Sequence, residues 1–226
     1  MNINLEGKRA FVTGGDGGIG SVICERLKAC GAEVIAPGMD EMDLSSEDSI
    51  QAYLKSHTEM PDILIHCAGI NKLAGVEETI PEDTEEVFQV NLFSFVSLLK
   101  HFTSSMKERQ FGRIIGISSL YGIVSRERRI PYSASKHAMN GVIKSVALEL
   151  AKDNVLINGV APGYVMTDMT RKNLSPAEIE EIREMIPAGR MQEAVEIADL
   201  CCFLCSEYNR SITGQTIPVD GGYVCK

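Results

Sequence analysis

The sequence predicts one α/β domain, built as a doubly wound parallel β-sheet with helices on both faces. Two observations support this prediction: short apolar runs recur along all 226 residues, and segments with helical periodicity separate most of them. Strands that alternate with helices in this way pair in parallel, and the helices cover both faces of the sheet. Because no Ser/Pro-rich or single-sign linker divides the chain, we expect one domain over residues 1–226 rather than two small ones.

The apolar runs predict strands at residues 9–13, 33–36, 63–66, 113–118, 156–160 and 215–219. After the first strand, Val22, Ile23 and Leu27 fall on one face of a predicted helix. The same periodicity predicts a helix through Val87, Val90 and Leu98 and another through Met139, Ile143 and Leu150.

Residues 31–44, GAEVIAPGMDEMDL, interrupt the alternation of strands and helices. A strand that pairs in parallel with its predecessor needs a crossover of about a dozen residues or more, and this segment has room only for one strand and a turn. We therefore predict that one helix and one edge strand are missing between residues 36 and 45. The sequence S-S-E-D then predicts a helix cap, and a further helix follows over residues 45–56.

A glycine-rich segment, TGGDGGIG at residues 13–20, follows the first predicted strand. Glycine lets the backbone turn tightly and approach a pyrophosphate, whose charge then meets the free N–H groups and the positive end of the next helix. Such a segment alone also fits an ordinary flexible turn. Its position between a strand and a helix, at the start of an alternating domain, favours dinucleotide binding.

Tyr132 and Lys136 lie four residues apart in the segment YSASK. On a helix this spacing places both side chains on one face. We expect the lysine cation to favour phenolate and so to lower the pKa of Tyr132 from its ordinary value of about 10. A tyrosine tuned in this way suits acid–base catalysis. The alternative is an amphipathic interface tyrosine beside a solvated lysine.

With both motifs in one chain, the sequence resembles the short-chain dehydrogenase/reductase family over nearly its whole length. The shared motifs, in chain order, are T-G-x-x-x-G-x-G at residues 13–20, Asp43-Leu44, Ala68-Gly69, Val90-Asn91, Ile117-Ser118-Ser119, Tyr132 with Lys136, Pro162-Gly163 with Thr167, and Thr213-Gly214 with Val219-Asp220-Gly221-Gly222. This resemblance implies a Rossmann-like fold and an NAD(P)-dependent oxidoreductase that transfers hydride between a nicotinamide cofactor and a ketone or secondary alcohol.

The resemblance also implies roles for individual residues. Tyr132 would be the general acid and base, Lys136 the modulator of its pKa and a ribose contact, and Ser119, rather than Ser118, the hydroxyl that polarises the carbonyl. Asn91 would anchor a proton-relay water. No metal site is implied. The implied cofactor contacts are Gly14, Asp16, Gly17, Gly18, Ile19, Gly20, Asp43, Leu44, Cys67, Ala68, Gly69, Tyr132, Lys136, Pro162, Gly163, Val165 and Thr167.

The cofactor is expected to be NAD or NADP, and the sequence favours NAD. Members of the family place an acid for the NAD ribose or a base for the NADP phosphate after the second strand, where this chain has Gly38 and Met39. Asp40 and Glu41 would repel a 2′-phosphate. The glycine-rich segment itself contains no arginine.

Two groups of residues depart from the usual pattern or invite another reading. His66-Cys67 stands where relatives often carry two asparagines; His66 could be catalytic, but a hydrogen-bonded structural role is favoured. Cys201, Cys202 and Cys205 could ligate a metal. Because they lie in an apolar helical pattern, buried small hydrophobic residues are the favoured reading.

Three arginines, Arg126, Arg128 and Arg129, lie in the loop YGIVSRERRI, which in relatives borders the substrate. Guanidinium groups bind carboxylates and phosphates in a forked geometry, so an anionic substrate is one hypothesis. The alternative is a set of surface or subunit-interface salt bridges with Glu127. Beyond Gly163, a polar helix-forming stretch that includes Arg171 is expected to fold over the substrate as a lid.

The resemblance is strongest to 3-oxoacyl-(acyl carrier protein) reductases, so a carrier-bound ketone is the first expected substrate. A sugar, polyol or other anionic secondary alcohol is the alternative, and a non-catalytic dinucleotide sensor is the alternative from another class. The formal net charge of −9 argues against nucleic acid and acidic membranes as partners. Without a recognisable leader or membrane segment, and with seven scattered cysteines, we expect a cytoplasmic homo-oligomer, a dimer or a tetramer.

Overall fold

The computed structural model describes residues 3–225, with the side chains of residues 168, 169 and 173 left out. Six parallel strands form one sheet in the order β2-β1-β3-β4-β5-β6. The fold class predicted from the sequence is therefore confirmed, and every predicted strand is present. The strands are β1 (Arg9–Thr13), β2 (Glu33–Ile35), β3 (Ile63–His66), β4 (Gly112–Ile117), β5 (Val155–Pro162) and β6 (Thr216–Val219).

Helices cover both faces of this sheet. Within residues 3–225 they are α1 (Gly20–Ala29), α2 (Glu47–Ser56), α3 (Pro81–Phe88), α4 (Ser94–Glu108), α5 (Ile130–Leu150), α6 (Asp168–Asn173), α7 (Pro176–Met185) and α8 (Ala194–Cys205). A π-helical segment, Gln89–Phe93, joins α3 to α4. None of the helices in this range combines the length and the apolarity needed to cross a membrane.

The predicted loss of one helix and one edge strand is also confirmed. β1 pairs with β2 on one side and with β3 on the other, so that Ala10 lies opposite both Val34 and Ile63. In the described chain β2 is an outer strand of the sheet, and only turns connect it to α2. The carboxyl end of β2 therefore leads directly into the loop that begins at Ala36.

Alternating side chains of the strands build two hydrophobic layers, because successive residues of a strand face opposite sides of a sheet. Phe11 and Leu64 pack with Phe95 and Phe102 of α4 on one side. On the other side, the layer packs against α1 and α8 and contains the thiols of Cys201, Cys202 and Cys205, which are at most 1% exposed. These cysteines therefore act as the small buried residues that the apolar pattern predicts.

Side-chain caps fix the points at which α2 and α7 begin. Ser46 precedes α2, and its hydroxyl accepts a hydrogen bond from the Ser49 N–H at 3.3 Å. Ser175 and Glu178 form a capping box that starts α7, as their spacing predicts. Both caps satisfy N–H groups that the first turn of a helix leaves free.

Candidate active site

A cleft of about 670 Å³ lies at the carboxyl ends of the strands. In open parallel sheets this edge is where ligands bind, because the helix N-termini and the strand ends meet there. The cleft is lined by every residue that the sequence analysis assigned to cofactor contact, together with Ser119: Gly14, Asp16, Gly17, Gly18, Ile19, Gly20, Asp43, Leu44, Cys67, Ala68, Gly69, Tyr132, Lys136, Pro162, Gly163, Val165 and Thr167.

The glycine-rich segment forms a tight cradle between β1 and α1. Gly14 has a φ of +66°, which L side chains rarely adopt. A Cβ atom at Gly20 would lie 1.9 Å from the carbonyl oxygen of Gly14. Only glycine therefore allows the backbone to fold back on itself here, which leaves the start of α1 open to a pyrophosphate.

Two further glycines keep space free for a planar ring at the other end of the cleft. A Cβ atom on Gly18 would lie 3.0 Å from the Cβ atom of Thr167, whose hydroxyl caps α6. A Cβ atom on Gly69 would lie 3.3 Å from both Lys136 Nζ and Asn91 Oδ1. With the glycine cradle, this open space fits a nicotinamide dinucleotide.

The end of β4 and the start of α5 bring Ser119 and Tyr132 together in the cleft. Burial raises the pKa of Tyr132, while a hydrogen bond with Ser119 and the positive charge of Arg129 act in the opposite direction. The hydroxyl of Ser118, in contrast, donates to Asn140 Oδ1 at 2.8 Å. Ser119 is thus the serine that faces the tyrosine.

Lys136 occupies the same helical face as Tyr132. Its ammonium donates to the carbonyl oxygen of Ile117 at 2.7 Å and lies 5.8 Å from the centroid of the Tyr132 ring. Burial is the largest influence on the phenol and raises its pKa, and the lowering of this pKa by Lys136 stays a prediction. The pKa of Lys136 itself falls to about 8, chiefly through burial.

We expect replacement of Lys136 by methionine to stabilise the fold at neutral pH. The folded-state pKa of about 8 lies below the ordinary 10.5, so Lys136 binds more protons in the unfolded chain between these values, and its contribution to stability rises with pH there. Below pH 8 the buried ammonium destabilises the fold by about 3 kcal/mol. The variant removes this cost but also loses the hydrogen bond to Ile117, which stabilises the fold by about 1 kcal/mol. Chemical denaturation of Lys136→Met should show a gain of about 2 kcal/mol at pH 7.

The control for this prediction is Lys144→Met on the exposed side of the same helix. It should change stability by less than about 0.5 kcal/mol. If the stability difference between Lys136→Met and wild type did not shrink between pH 8 and pH 10, or if Lys136→Met were the less stable protein at pH 7, the buried ammonium would not carry the stated cost.

Asn91 is fully buried in the π-helical segment, behind the cleft rather than on its wall. Its Oδ1 accepts from the Ile70 N–H at 2.8 Å, and its Nδ2 donates to the Ile70 carbonyl at 3.0 Å and to Ser135 Oγ at 3.0 Å. The side chain therefore clamps the strand-end loop to α5. A π-helical turn of this kind often marks a functional site, because it displaces backbone carbonyls from the regular pattern.

His66 is a buried neutral residue, as the favoured reading of the sequence held. Its Nδ1 lies 3.0 Å from Thr13 Oγ1, and its ring stacks on Phe95 at 5.2 Å. Burial, aided by the charge of Lys136, lowers its pKa to about 3. It does not line the cleft, so its geometry fits a structural rather than a catalytic role.

A second cavity of about 460 Å³ opens from the catalytic end of the cleft and lies beneath α7. Ser119 and Tyr132 line both spaces. Arg126 and Arg129 also line the second cavity, whereas Arg128 pairs at 2.8 Å with Glu78. The alternative of salt bridges in this loop therefore applies to Arg128, with Glu78 rather than Glu127 as the partner.

Sequence reasoning missed two sets of lining residues. At the adenosine end, the loop after β2 contributes Pro37 and Met42, beside Met39 at the position that the family uses for cofactor selection. In the second cavity, Tyr164 follows the Pro162-Gly163 pair at the end of β5. The rule that ligands bind at strand carboxyl ends could have indicated all three residues, since Pro37 and Met42 follow β2 as Tyr164 follows β5.

Comparison with known proteins identifies relatives that match almost the whole chain. A family profile described as enoyl-(acyl carrier protein) reductase matches residues 36–224. The 3-oxoacyl-[acyl-carrier-protein] reductase of Aquifex aeolicus is 36% identical over an alignment of 247 positions. The alignment covers 98% of this chain and 99% of the relative. The D-beta-hydroxybutyrate dehydrogenase of Cupriavidus necator is 30% identical over 257 residues, covering 98% of this chain and 100% of the relative.

A solved structure shares the whole architecture. It is a putative NAD(P)-dependent gluconate 5-dehydrogenase from Beutenbergia cavernae with NADP bound at low occupancy. Its TM-score is 0.93 at 30% sequence identity, and the match covers 100% of both chains.

Proposed function

The chain belongs to the short-chain dehydrogenase/reductase family, and we propose that Ser119, Tyr132 and Lys136 form its catalytic group. The protein is an NAD(P)-dependent oxidoreductase that acts on CH–OH and C=O groups. The observation that supports the residue assignment is the meeting of Ser119 and Tyr132 on the wall shared by the cofactor cleft and the second cavity. A carbonyl in the second cavity would there face both hydroxyls.

A nicotinamide cofactor in the cleft would supply the hydride that the carbonyl carbon accepts in the reducing direction. The hydroxyls of Ser119 and Tyr132 donate hydrogen bonds to the carbonyl oxygen, where negative charge develops. Tyr132 then transfers its proton to that oxygen, which its raised pKa permits because the phenol stays protonated at neutral pH. In the oxidising direction, the hydrogen bond with Ser119 and the charge of Arg129 stabilise the phenolate, which is the form of Tyr132 that accepts a proton from the alcohol.

We propose that Lys136 and Asn91 hold the catalytic residues in position and return a proton to Tyr132. The Lys136 ammonium, one helical turn beyond Tyr132, lies 3.3 Å from the point that a Cβ atom on Gly69 would occupy, and it would hold a ribose hydroxyl of the cofactor. Asn91 fixes the loop beside it through both hydrogen bonds to Ile70. A water held at the π-helical carbonyls would connect the lysine to solvent.

We propose NAD as the preferred cofactor. At the adenosine end the cleft is lined by Met39, Asp43 and Ser45, and Lys136, at the opposite end, is the one cation among its described lining residues. A 2′-phosphate placed beside Asp43 would find no compensating cation, and a repulsion of about 1–4 kcal/mol follows from like charges a few ångströms apart.

Calorimetric titration with NADH and NADPH tests this preference. We expect NADPH to bind at least about tenfold more weakly, and Met39→Arg to bring the two dissociation constants together. Because the Beutenbergia cavernae structure carries NADP, NADPH is the relevant competitor. Equal or tighter binding of NADPH by wild type would contradict the proposal.

Two substrate classes are candidates. The Aquifex aeolicus relative is a 3-oxoacyl-[acyl-carrier-protein] reductase, which supports a carrier-bound 3-oxoacyl thioester. The Cupriavidus necator relative and the Beutenbergia cavernae neighbour are named for hydroxybutyrate and gluconate, which are hydroxy acids. Arg126 and Arg129 in the second cavity favour this second class.

A substrate panel followed by nicotinamide absorbance tests the proposed function. It contains acetoacetyl-N-acetylcysteamine as a small thioester, acetoacetate and methyl acetoacetate as 3-oxo compounds, and keto-gluconates as sugar acids. Sustained turnover of at least one member with NADH or NADPH is expected. Tight cofactor binding without turnover of any ketone would instead support the non-catalytic sensor.

We also propose a cytoplasmic homo-oligomer joined through α4 and α5. Phe93 and Val96 are exposed at the start of the first of these helices, and Leu148 is 87% exposed near the end of the second. All seven cysteines are free thiols, in keeping with a reducing compartment. Either a dimer or a tetramer would cover these apolar side chains.

A further inference from the structure

Arg126 and Arg129 lie in the second cavity without an acidic partner. Among the described residues, neither arginine takes part in an ion pair, whereas Arg128, between them in sequence, pairs with Glu78. This arrangement is unexpected in a chain with a formal net charge of −9. Two unpaired guanidinium groups in one cavity produce a local positive field in an acidic protein.

Tyr164 and Tyr121 hold Arg126 in place. Arg126 Nη1 donates to the Tyr164 hydroxyl at 3.2 Å, and this hydroxyl lies 2.8 Å from that of Tyr121. Tyr223 packs edge-on against Tyr164, with ring centroids 5.7 Å apart. Because a guanidinium has five N–H donors, this anchoring leaves donors of Arg126 available to a ligand.

Arg129 lies between the anchored arginine and the reacting hydroxyl. It precedes the first residue of α5, three residues before Tyr132, and its guanidinium lies 5.3 Å from the centroid of the Tyr121 ring. Its charge acts on the Tyr132 hydroxyl, whose pKa it lowers. A negative group bound here would therefore be within electrostatic reach of the carbonyl that Tyr132 protonates.

Helix α7 does not supply a carboxylate that pairs with Arg126 or Arg129 among the described contacts. Two carboxylates of α7, Glu178 and Glu181, line the same cavity. Glu178 Oε2 already accepts hydrogen bonds from Ser175 N and Ser175 Oγ, at 2.8 and 2.7 Å, in the capping box. Glu181 is exposed and forms no ion pair with either arginine among the described contacts.

We infer that Arg126 and Arg129 form an anion subsite that binds the carboxylate of a small oxo or hydroxy acid beside Tyr132. The inference rests on the proposed function and deepens it by selecting between the two substrate classes. A thioester or ester in this position would leave both guanidinium groups without a counter-charge when the cavity is covered. A free carboxylate pairs with them in forked geometry.

Kinetics with acetoacetate and methyl acetoacetate test the inference, since the two ketones differ in the charge of the carboxyl group. Wild type should prefer the acid. In the double variant Arg126→Gln/Arg129→Gln, the ratio of kcat/KM for the acid to kcat/KM for the ester should fall by about 10- to 100-fold, as expected for charge-assisted hydrogen bonds. The ratio cancels any effect that the lost Arg129 charge has on Tyr132 with both ketones. Arg128→Gln, which removes one positive charge from the same loop outside the cavity, should match wild type with both ketones.

Binding provides a readout that does not depend on turnover. Ligand-observed NMR would compare 3-hydroxybutyrate with its methyl ester on protein saturated with reduced cofactor, where the alcohol has no oxidant. We expect the acid to bind more tightly than the ester in wild type and in Arg128→Gln, and equally in the double variant. Equal binding of acid and ester by wild type, or absence of binding by both, would overturn the anion subsite.

The two readouts also separate this inference from the proposed function. Turnover of the ester with no preference for the acid in either readout would leave the oxidoreductase intact and remove the subsite. Selective binding of the acid, with no ketone reduced by wild type, would leave the subsite and remove the proposed catalytic group. Unchanged acid binding in the double variant would show that the arginines do not hold the carboxylate, and it would overturn the anion subsite.

Discussion

Replacing Tyr132 by phenylalanine should lower kcat by about 10²- to 10⁴-fold, the usual contribution of a positioned general acid or base. The substitution removes the hydroxyl that faces the second cavity and keeps the ring that packs at the start of α5. Among the described residues that line both spaces, Tyr132 is the one with a titratable side chain. The residual rate should therefore lose the pH dependence that Tyr132 imposes.

Cofactor affinity distinguishes lost chemistry from a damaged site. The dissociation constant of NADH should change by less than about threefold in Tyr132→Phe, because only one hydrogen bond to the cofactor is at stake. Tyr53→Phe is the matched control, since Tyr53 is a buried tyrosine of α2 that lines neither the cleft nor the second cavity. Full activity in Tyr132→Phe, measured by steady-state kinetics, would remove Tyr132 from the mechanism.

Replacing Gly20 by alanine should abolish cofactor binding. The new Cβ atom would lie 1.9 Å from the carbonyl oxygen of Gly14, and because that neighbour is backbone, the cradle itself must shift. Losing two hydrogen bonds from the cradle to a charged phosphate, each worth about 1.5–3 kcal/mol, raises the dissociation constant by at least about 10²-fold. Fluorescence titration with NADH measures this change.

Gly141→Ala is the matched control for this substitution. A Cβ atom at Gly141, in the middle of α5, meets nothing within 4 Å, so the control should bind NADH normally and gain about 0.5–1 kcal/mol of stability. Thermal melts of both variants separate a displaced cradle from global unfolding. Wild-type affinity in Gly20→Ala would mean that the loop tolerates the shift and does not hold the pyrophosphate.

The features that could be predicted from the sequence are those that depend on local pattern. The strand runs, the glycine cradle and the capping box at Ser175 each lie within a few consecutive residues. The missing helix also followed from counting residues, since the segment between β2 and α2 is too short for a crossover. These predictions required no knowledge of which distant groups meet.

The features that could not be predicted depend on contacts between distant segments. The Lys136 ammonium is held by the carbonyl of Ile117, nineteen positions earlier in the chain, and no spacing rule reveals this competitor for its charge. Arg126 meets Tyr164 across 38 positions. The π-helical segment between α3 and α4 leaves the apolar periodicity almost unchanged, so one continuous helix was the natural prediction.

The position of β2 at the edge of the sheet also shows how such a chain can be shorter and still keep the order and direction of its other strands. A parallel strand and the helix that returns to it form one inseparable loop, so a deletion that removed either alone would reverse the direction of everything downstream. Removal of both the strand and its helix from the edge of the sheet breaks hydrogen bonds to one neighbouring strand only. Every remaining connection between strands keeps its handedness. The alignment with the Aquifex aeolicus protein spans 247 positions, more than these 226 residues, so that relative has residues that this chain lacks.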